Sequence, residues 1–112
     1  MRSILISTAL ALSFLSSVDA SDMHNAVIEK MMVDTANGEV LFIKAAGDVN
    51  AAPSCSTNQG WQYVLPLTSD LTKNNMMSLL LSARMAGTKV RLLGKGVCDA
   101  YSSIETLQRI EV

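Results

Sequence analysis

One segment of this chain carries a full set of helix signals, and the segments on either side of it read as strand or loop. Asp70–Ala86 (DLTKNNMMSLLLSARMA) holds mostly helix formers and neither Gly nor Pro. Ser69 and Asp70 offer N-cap oxygens before it, and Gly87 follows as a natural left-handed C′ residue. At about 100° per residue, Met76, Leu79, Leu80, Ala83 and Ala86 fall on one stripe, which is expected to face the core. Met77, Leu81 and Met85 form a second apolar stripe, more than a single-faced helix requires. Such a flexible apolar stripe suits an interface between copies of the chain; the alternative is burial under loops or strands of the same chain.

Three strand-like segments precede the helix and two follow. Val27–Thr35 and Glu39–Ala45 flank Asn37-Gly38, a pair that accepts positive φ and suits a tight type I′ turn. That turn would set Thr35 opposite Val40, Val33 opposite Phe42 and Met32 opposite Ile43. Ala46–Gly60 is a loop holding Cys55, and Trp61–Leu67 is a third strand with Trp61, Tyr63 and Leu65 on one face. Pro66 lacks a donor and belongs at an edge or at the strand end. Lys89–Val97 begins as an alternating strand, and Gly94 and Gly96 signal a bulge, a bend or a close backbone approach. Cys98–Ser103 is a loop. Ile104–Val112 is the last strand, with a bulge expected near Gln108-Arg109 because Leu107 and Ile110 break the alternation. Glu105 within it reads as a solvated or ion-paired residue.

The N-terminus reads as an address. Arg2 precedes an apolar run, Ile4–Leu15, and Val18-Asp19-Ala20 fits the small-residue rule for leader cleavage. The run falls short of the roughly 20 residues a membrane span needs. Residues 1–20 are therefore expected to be a cleaved signal peptide, and 21–112 a single exported domain, periplasmic or secreted, with no membrane span. An exported domain meets an oxidising compartment, so Cys55 and Cys98 are expected to form one intramolecular disulfide. Loop closure over that span gives roughly 4 kcal/mol. A reactive thiol, a metal pair or an intermolecular bridge are the rival readings, and neither cysteine has a base or metal partner near it in sequence.

The order β-β-β-α-β-β is that of a five-stranded OB-fold barrel, mainly β with one helix between strands three and four. An α+β sheet with the helix packed on one face is the alternative. In the OB topology strands three and five run parallel, so Cys55 and Cys98, each ahead of one of them, lie at the same end. Trp61–Leu67 and Leu79–Val112 resemble small exported bacterial OB-fold proteins, whose characterised relatives are the B subunits of A–B toxins of the subtilase-cytotoxin type. The resemblance rests on Ala83 to Gly87 (Ala-x-x-x-Gly), Lys89 to Arg91 (Lys-Val-Arg) and Gly94 to Cys98 (Gly-x-Gly-x-Cys). It implies a pentameric ring with helices around a pore and binding to cell-surface glycans.

Little in the sequence points to catalysis. The chain has a single histidine, His24, and two cysteines, and its 9 basic against 10 acidic residues give a net charge of -1. A Ser/His/Asp or Cys/His arrangement would have to use His24, close to the cleaved end. Asp48, Asp70, Asp99, Glu105 and Glu111 show no paired motif spacing, and Gly94-Lys95-Gly96 is too short for a phosphate loop. No cofactor or metal set is recognisable. A single-stranded nucleic-acid groove needs positive charge and stacking aromatics, which this slightly acidic chain lacks. The equipment suits a non-catalytic binding module, an oligomer, with a glycan or protein ligand. Trp61, Tyr63, Asp99, Tyr101 and Ser102 are the candidate ligand contacts, and Met77, Leu81 and Met85 the candidate oligomer interface. A periplasmic structural or accessory protein without a small ligand is the alternative.

Overall fold

A computed structural model describes residues 20–68 and 70–112. Apart from Ala20, the leader read in the sequence lies outside the described residues, as does the cap candidate Ser69. The elements are β1 (Asp22–Asp34), β2 (Val40–Val49), β3 (Tyr63–Pro66), α1 (Leu71–Ala86), β4 (Val90–Gly94) and β5 (Glu105–Glu111). The protein is thus mainly β with one helix, in the expected β-β-β-α-β-β order. The five strands form one sheet in the order β1-β2-β3-β5-β4, and β4 pairs back onto β1 so that the sheet closes on itself. β3 and β5 run parallel, and the other neighbours are antiparallel.

β1 is longer than its sequence pattern suggests. Its pairing register shifts between His24 and Val27 and again between Ile28 and Lys30, with Asn25 at φ 52°. These irregularities interrupt the alternation that marks a strand, which is why only Val27 onward is legible. They also bend β1, so that its start reaches β4 while the whole strand follows β2. The expected register of the first hairpin is off by one. Asp34 faces Val40, Val33 faces Leu41, Met32 faces Phe42 and Met31 faces Ile43. The Asp34 carboxylate accepts from Ala36 N at 2.8 Å and from Asn37 Nδ2 at 2.8 Å, which favours a wider turn over a two-residue one. Positive φ falls on Gly38 (87°) and Glu39 (56°) and not on Asn37. In β5 the expectation holds: Leu93 pairs with Arg109 and Gly94 with Leu107, leaving Gln108 as the bulged residue. Pro66 closes β3, opposite Val40.

Val40–Ile43 of β2 and Tyr63–Leu65 of β3 are buried on both faces, which explains their continuous apolar sequence. Leu41, Ile43, Tyr63 and Leu65 join the main core with Ile28, Leu80, Leu92 and Leu107. Val40, Phe42 and Val64 point the other way and pack with Ile104 of the β4–β5 connection, under Trp61, Ala100 and Tyr101. Trp61 therefore does not share a face with Tyr63 and Leu65. The chain leaves strand geometry before Tyr63.

α1 is capped as expected. Asp70 accepts from Thr72 N at 2.9 Å, and Gly87, at φ 66°, donates to the Ala83 carbonyl. The expected core stripe is only partly right. Leu80 and Ala83 are buried and Met76 and Met77 pack against the core, but Leu79 is 43% exposed and Ala86 is exposed. The helix rests mainly on β1 and β5, and that narrow footing leaves Leu79 on the rim.

Glu105 departs furthest from its sequence reading. It is 1% exposed, because its side chain points into a closed network. Its Oε2 accepts from Gly96 N at 2.8 Å and from Ser21 N at 3.1 Å, and its Oε1 accepts from Ser21 Oγ at 2.5 Å. With the Ser21 proton committed, the Tyr63 hydroxyl donates to Ser21 Oγ at 2.6 Å. The carboxylate occupies the place a Cβ of Gly94 would need, so the close approach signalled by the glycines is to this side chain. Gly94→Ala should lower stability by about 2 kcal/mol or more, through steric overlap and a displaced buried carboxylate. Gly60→Ala, where a Cβ meets only Asn58 Oδ1 at 3.4 Å, is the matched control. Urea unfolding of both variants checks the contrast, and equal midpoints would refute the assignment.

Candidate functional site

A cleft of about 560 Å³ opens at one end of the closed sheet. Asn37 and Gly38 of the β1–β2 turn form one wall, and Thr72, Lys73 and Met76 of the start of α1 form another. The third wall is Lys95, Asp99 and Ala100 of the β4–β5 connection. Val40, Pro66, Thr106, Leu107 and Gln108 line the rest. The cleft thus sets charged and amide groups around an apolar floor.

The β4–β5 connection is held in place by covalent and polar ties. Cys98 is bonded to Cys55, with Cα atoms 6.1 Å apart, as expected for two residues entering parallel strands. The Ser103 carbonyl accepts from Thr57 N at 3.1 Å and Asn58 N at 3.0 Å. On the cleft side, Lys95 N donates to Thr106 O at 2.8 Å, and Thr106 N to Val97 O at 3.0 Å. Asp99 accepts from Lys95 Nζ at 2.5 Å and from Thr106 Oγ1 at 2.5 Å. These two hydrogen bonds, the Lys95 ammonium first, hold the Asp99 carboxyl below its ordinary range.

The five candidate ligand contacts do not form one site. Asp99 lines the cleft. Tyr63 is 1% exposed with its hydroxyl turned into the Glu105 network, so it offers no face to a ligand. Trp61 packs on Phe42 at 5.7 Å, and Lys30 Nζ sits 5.5 Å from the Trp61 ring. Tyr101 packs edge-on against Phe42 at 5.2 Å. Ser102 is exposed in the turn where Tyr101 bridges Ile104. The aromatics thus serve a small outer core rather than a stacking platform. Lys73, Lys95, Thr106 and Gln108 were not singled out as contacts in the sequence. Gly-Lys-Gly at 94–96 and the bulge at Gln108 were the available signals.

His24 lies away from the cleft. Its half-exposed ring sets Nε2 3.3 Å from Asp22 Oδ1, on a carboxylate already held by Arg91 Nη2 at 2.7 Å. Among the described residues no group of three or more His, Cys, Asp and Glu is placed to hold a metal ion. No helix among them is long and apolar enough to cross a membrane. On α1, Met77 is half-buried against the core, whereas Leu81 is 50% and Met85 80% exposed.

No family model, curated protein or solved structure matches this chain.

The Lys95–Asp99 contact has a measurable consequence. Asp99 should titrate below 3.8, and Lys95→Ala should move its midpoint up towards that value. Because the folded value is depressed, its contribution to stability is complete above the unfolded value of about 3.9 and is lost as pH falls through the folded value. A carboxyl-detected NMR titration checks both. An Asp99 midpoint indifferent to Lys95→Ala would show that the pair does not form in solution.

Proposed function

We propose that this chain is an exported, non-catalytic binding module on an OB-fold barrel, which takes a glycan in the cleft and assembles through α1. The placement of the cleft supports the ligand reading. It lies between the β1–β2 turn and the β4–β5 connection, the two loops through which OB barrels take oligosaccharides and oligonucleotides. A sugar suits the lining. Asn37, Lys95, Asp99 and Gln108 offer donors and acceptors for hydroxyls, and Pro66, Met76 and Leu107 offer apolar surface for the ring faces. An oligonucleotide suits it less. The sequence is slightly acidic, and Trp61 and Tyr101 are committed to Phe42.

The disulfide joins the cleft wall to the β2–β3 loop and supports both the exported location and a pre-formed site. A glycan array probed with the exported protein should give a defined set of hits. Lys95→Ala and Gln108→Ala should each weaken the best hit by about tenfold, the effect of losing one good polar contact, while Tm changes little. An empty array points to the accessory-protein alternative, and unchanged affinity in both variants places the ligand elsewhere.

A separate observation favours assembly. Leu81 and Met85, at i and i+4 on one flank of α1, are 50% and 80% exposed, a large apolar patch for a solvent face. A second copy presenting the same helix face would cover them. Light scattering on the eluting protein should give a mass above one chain, and Leu81→Glu with Met85→Glu should reduce it to one chain. A monomeric parent protein sinks the assembly reading and leaves the cleft untouched.

A further inference from the structure

An exposed residue, Ala20, meets a buried one, Ser21, at the peptide bond of the leader-cleavage signal. Ala20 is exposed, whereas Ser21 is 3% exposed, with its nitrogen 3.1 Å from Glu105 Oε2. Its hydroxyl lies 2.5 Å from Oε1, and its carbonyl accepts from Gly94 N at 2.9 Å. Resting on the export reading above, we propose that Glu105 is the receptor for the α-ammonium group that cleavage of the Ala20–Ser21 bond releases, so that processing turns an amide hydrogen bond into a buried ion pair.

The chemistry is a hydrolysis. Water adds across the peptide bond, the acyl carbon of Ala20 leaves as a carboxylate with the leader, and the Ser21 nitrogen becomes an ammonium. Before cleavage, that nitrogen gives Glu105 one neutral N–H donor. Afterwards, with no movement of Ser21, it gives a charged donor to the same oxygen. Charge-assisted hydrogen bonds are roughly twice as strong as neutral ones. A cavity of about 80 Å³ beside the pair, lined in part by Ser21, Ser56, Asn58, Gln62 and Tyr63, leaves room for water at the remaining ammonium protons.

The groups that face Ser21 come from four strands. Glu105 of β5 is the direct partner. The Tyr63 hydroxyl of β3 is pushed up to about 12, chiefly by burial, and stays neutral across the range of interest. Asp22 of β1 is held by the guanidinium of Arg91 of β4, with Nε at 2.9 Å and Nη2 at 2.7 Å. Among the described residues, Glu105 is the carboxylate in direct contact with the Ser21 nitrogen. The ion pair links the first residue of the processed chain to β5 and, through Tyr63, to β3. It thus secures the β1–β4 seam, where only Asp22–Leu93, Met23–Leu92 and Ala26–Val90 are paired.

The test uses the full chain, expressed with export and recovered from the exported fraction. Intact mass should correspond to a protein beginning at Ser21, and any other first residue overturns the proposal together with its processing premise. With Ser21 first, the N-terminal amine is followed by NMR of the [¹³C]dimethylated protein. It should titrate roughly one unit or more above the ordinary α-amine value of about 7.7–8.0, and Glu105→Gln should return it to that range. The stability it confers is then complete below about pH 7.7 and is lost as pH rises through the raised value. An ordinary or lowered amine value in the parent protein overturns the ion pair while leaving the cleavage site standing. That measurement needs no variant, so it decides the matter even if Glu105→Gln fails to fold.

Discussion

A buried carboxylate organises this fold. Moving a carboxylate out of water costs several kcal/mol unless donors replace the lost hydration. Glu105 meets that requirement with Gly96 N, Ser21 N and Ser21 Oγ, and the Tyr63 hydroxyl completes the chain behind Ser21. Those partners come from the lead-in to β1, from β3 and from the turn after β4. The network therefore fixes three elements relative to the start of β5, at the place where the sheet has to close. It also dictates local sequence, since the carboxylate fills the space a Gly94 side chain would need. Arg91 reinforces the same seam from the surface, with a fork onto Asp22 and a further bond to Glu111 Oε2 at 3.1 Å.

The disulfide does a different job. Cys55–Cys98 joins two connections, one before β3 and one before β5, that already sit at the same end because those strands are parallel. With Ser103 O tied to Thr57 and Asn58, it presses Ala100, Tyr101 and Ile104 onto Phe42 and Val64. The outer face of β2 and β3 is thereby closed by the chain itself. The same connection then turns Lys95 and Asp99 towards the start of α1, and the open space is displaced from the sheet face to the loop end.

Local signals in the sequence were legible where one residue type has one physical use. Asp70 and Gly87 bound the helix because only such residues satisfy its ends, and the Gln108 bulge was visible because Leu107 and Ile110 could not both face inward from a regular strand. The parallel β3–β5 pair followed from element order, and the disulfide from the export signal and the two cysteines. What escaped depended on partners far away in the chain. Glu105 reads as a surface charge until Ser21, 84 residues away, is brought against it. Trp61, Tyr63 and Tyr101 read as a sugar platform until the outer core consumes two of them and the Glu105 network the third. The hairpin slipped by one because Asp34 bonds into its own turn, a local competition that the Asn-Gly signal does not reveal.

The two apolar surfaces of the molecule were treated differently, and the contrast bears on function. The chain spends a disulfide and a long connection on covering Phe42 and Val64, yet leaves Leu79, Leu81 and Met85 on α1 uncovered. A helix that needed only to seal the core could carry a polar residue at Met85, which is 80% exposed, since Leu80 and Ala83 already supply the buried contact. Exposed apolar side chains lower solubility and add nothing to the fold of a single chain. The second copy proposed above would rest on the Leu81–Met85 flank and cover both side chains. The cleft opens near the start of the same helix, away from Leu81 and Met85, so the proposed assembly would leave it open.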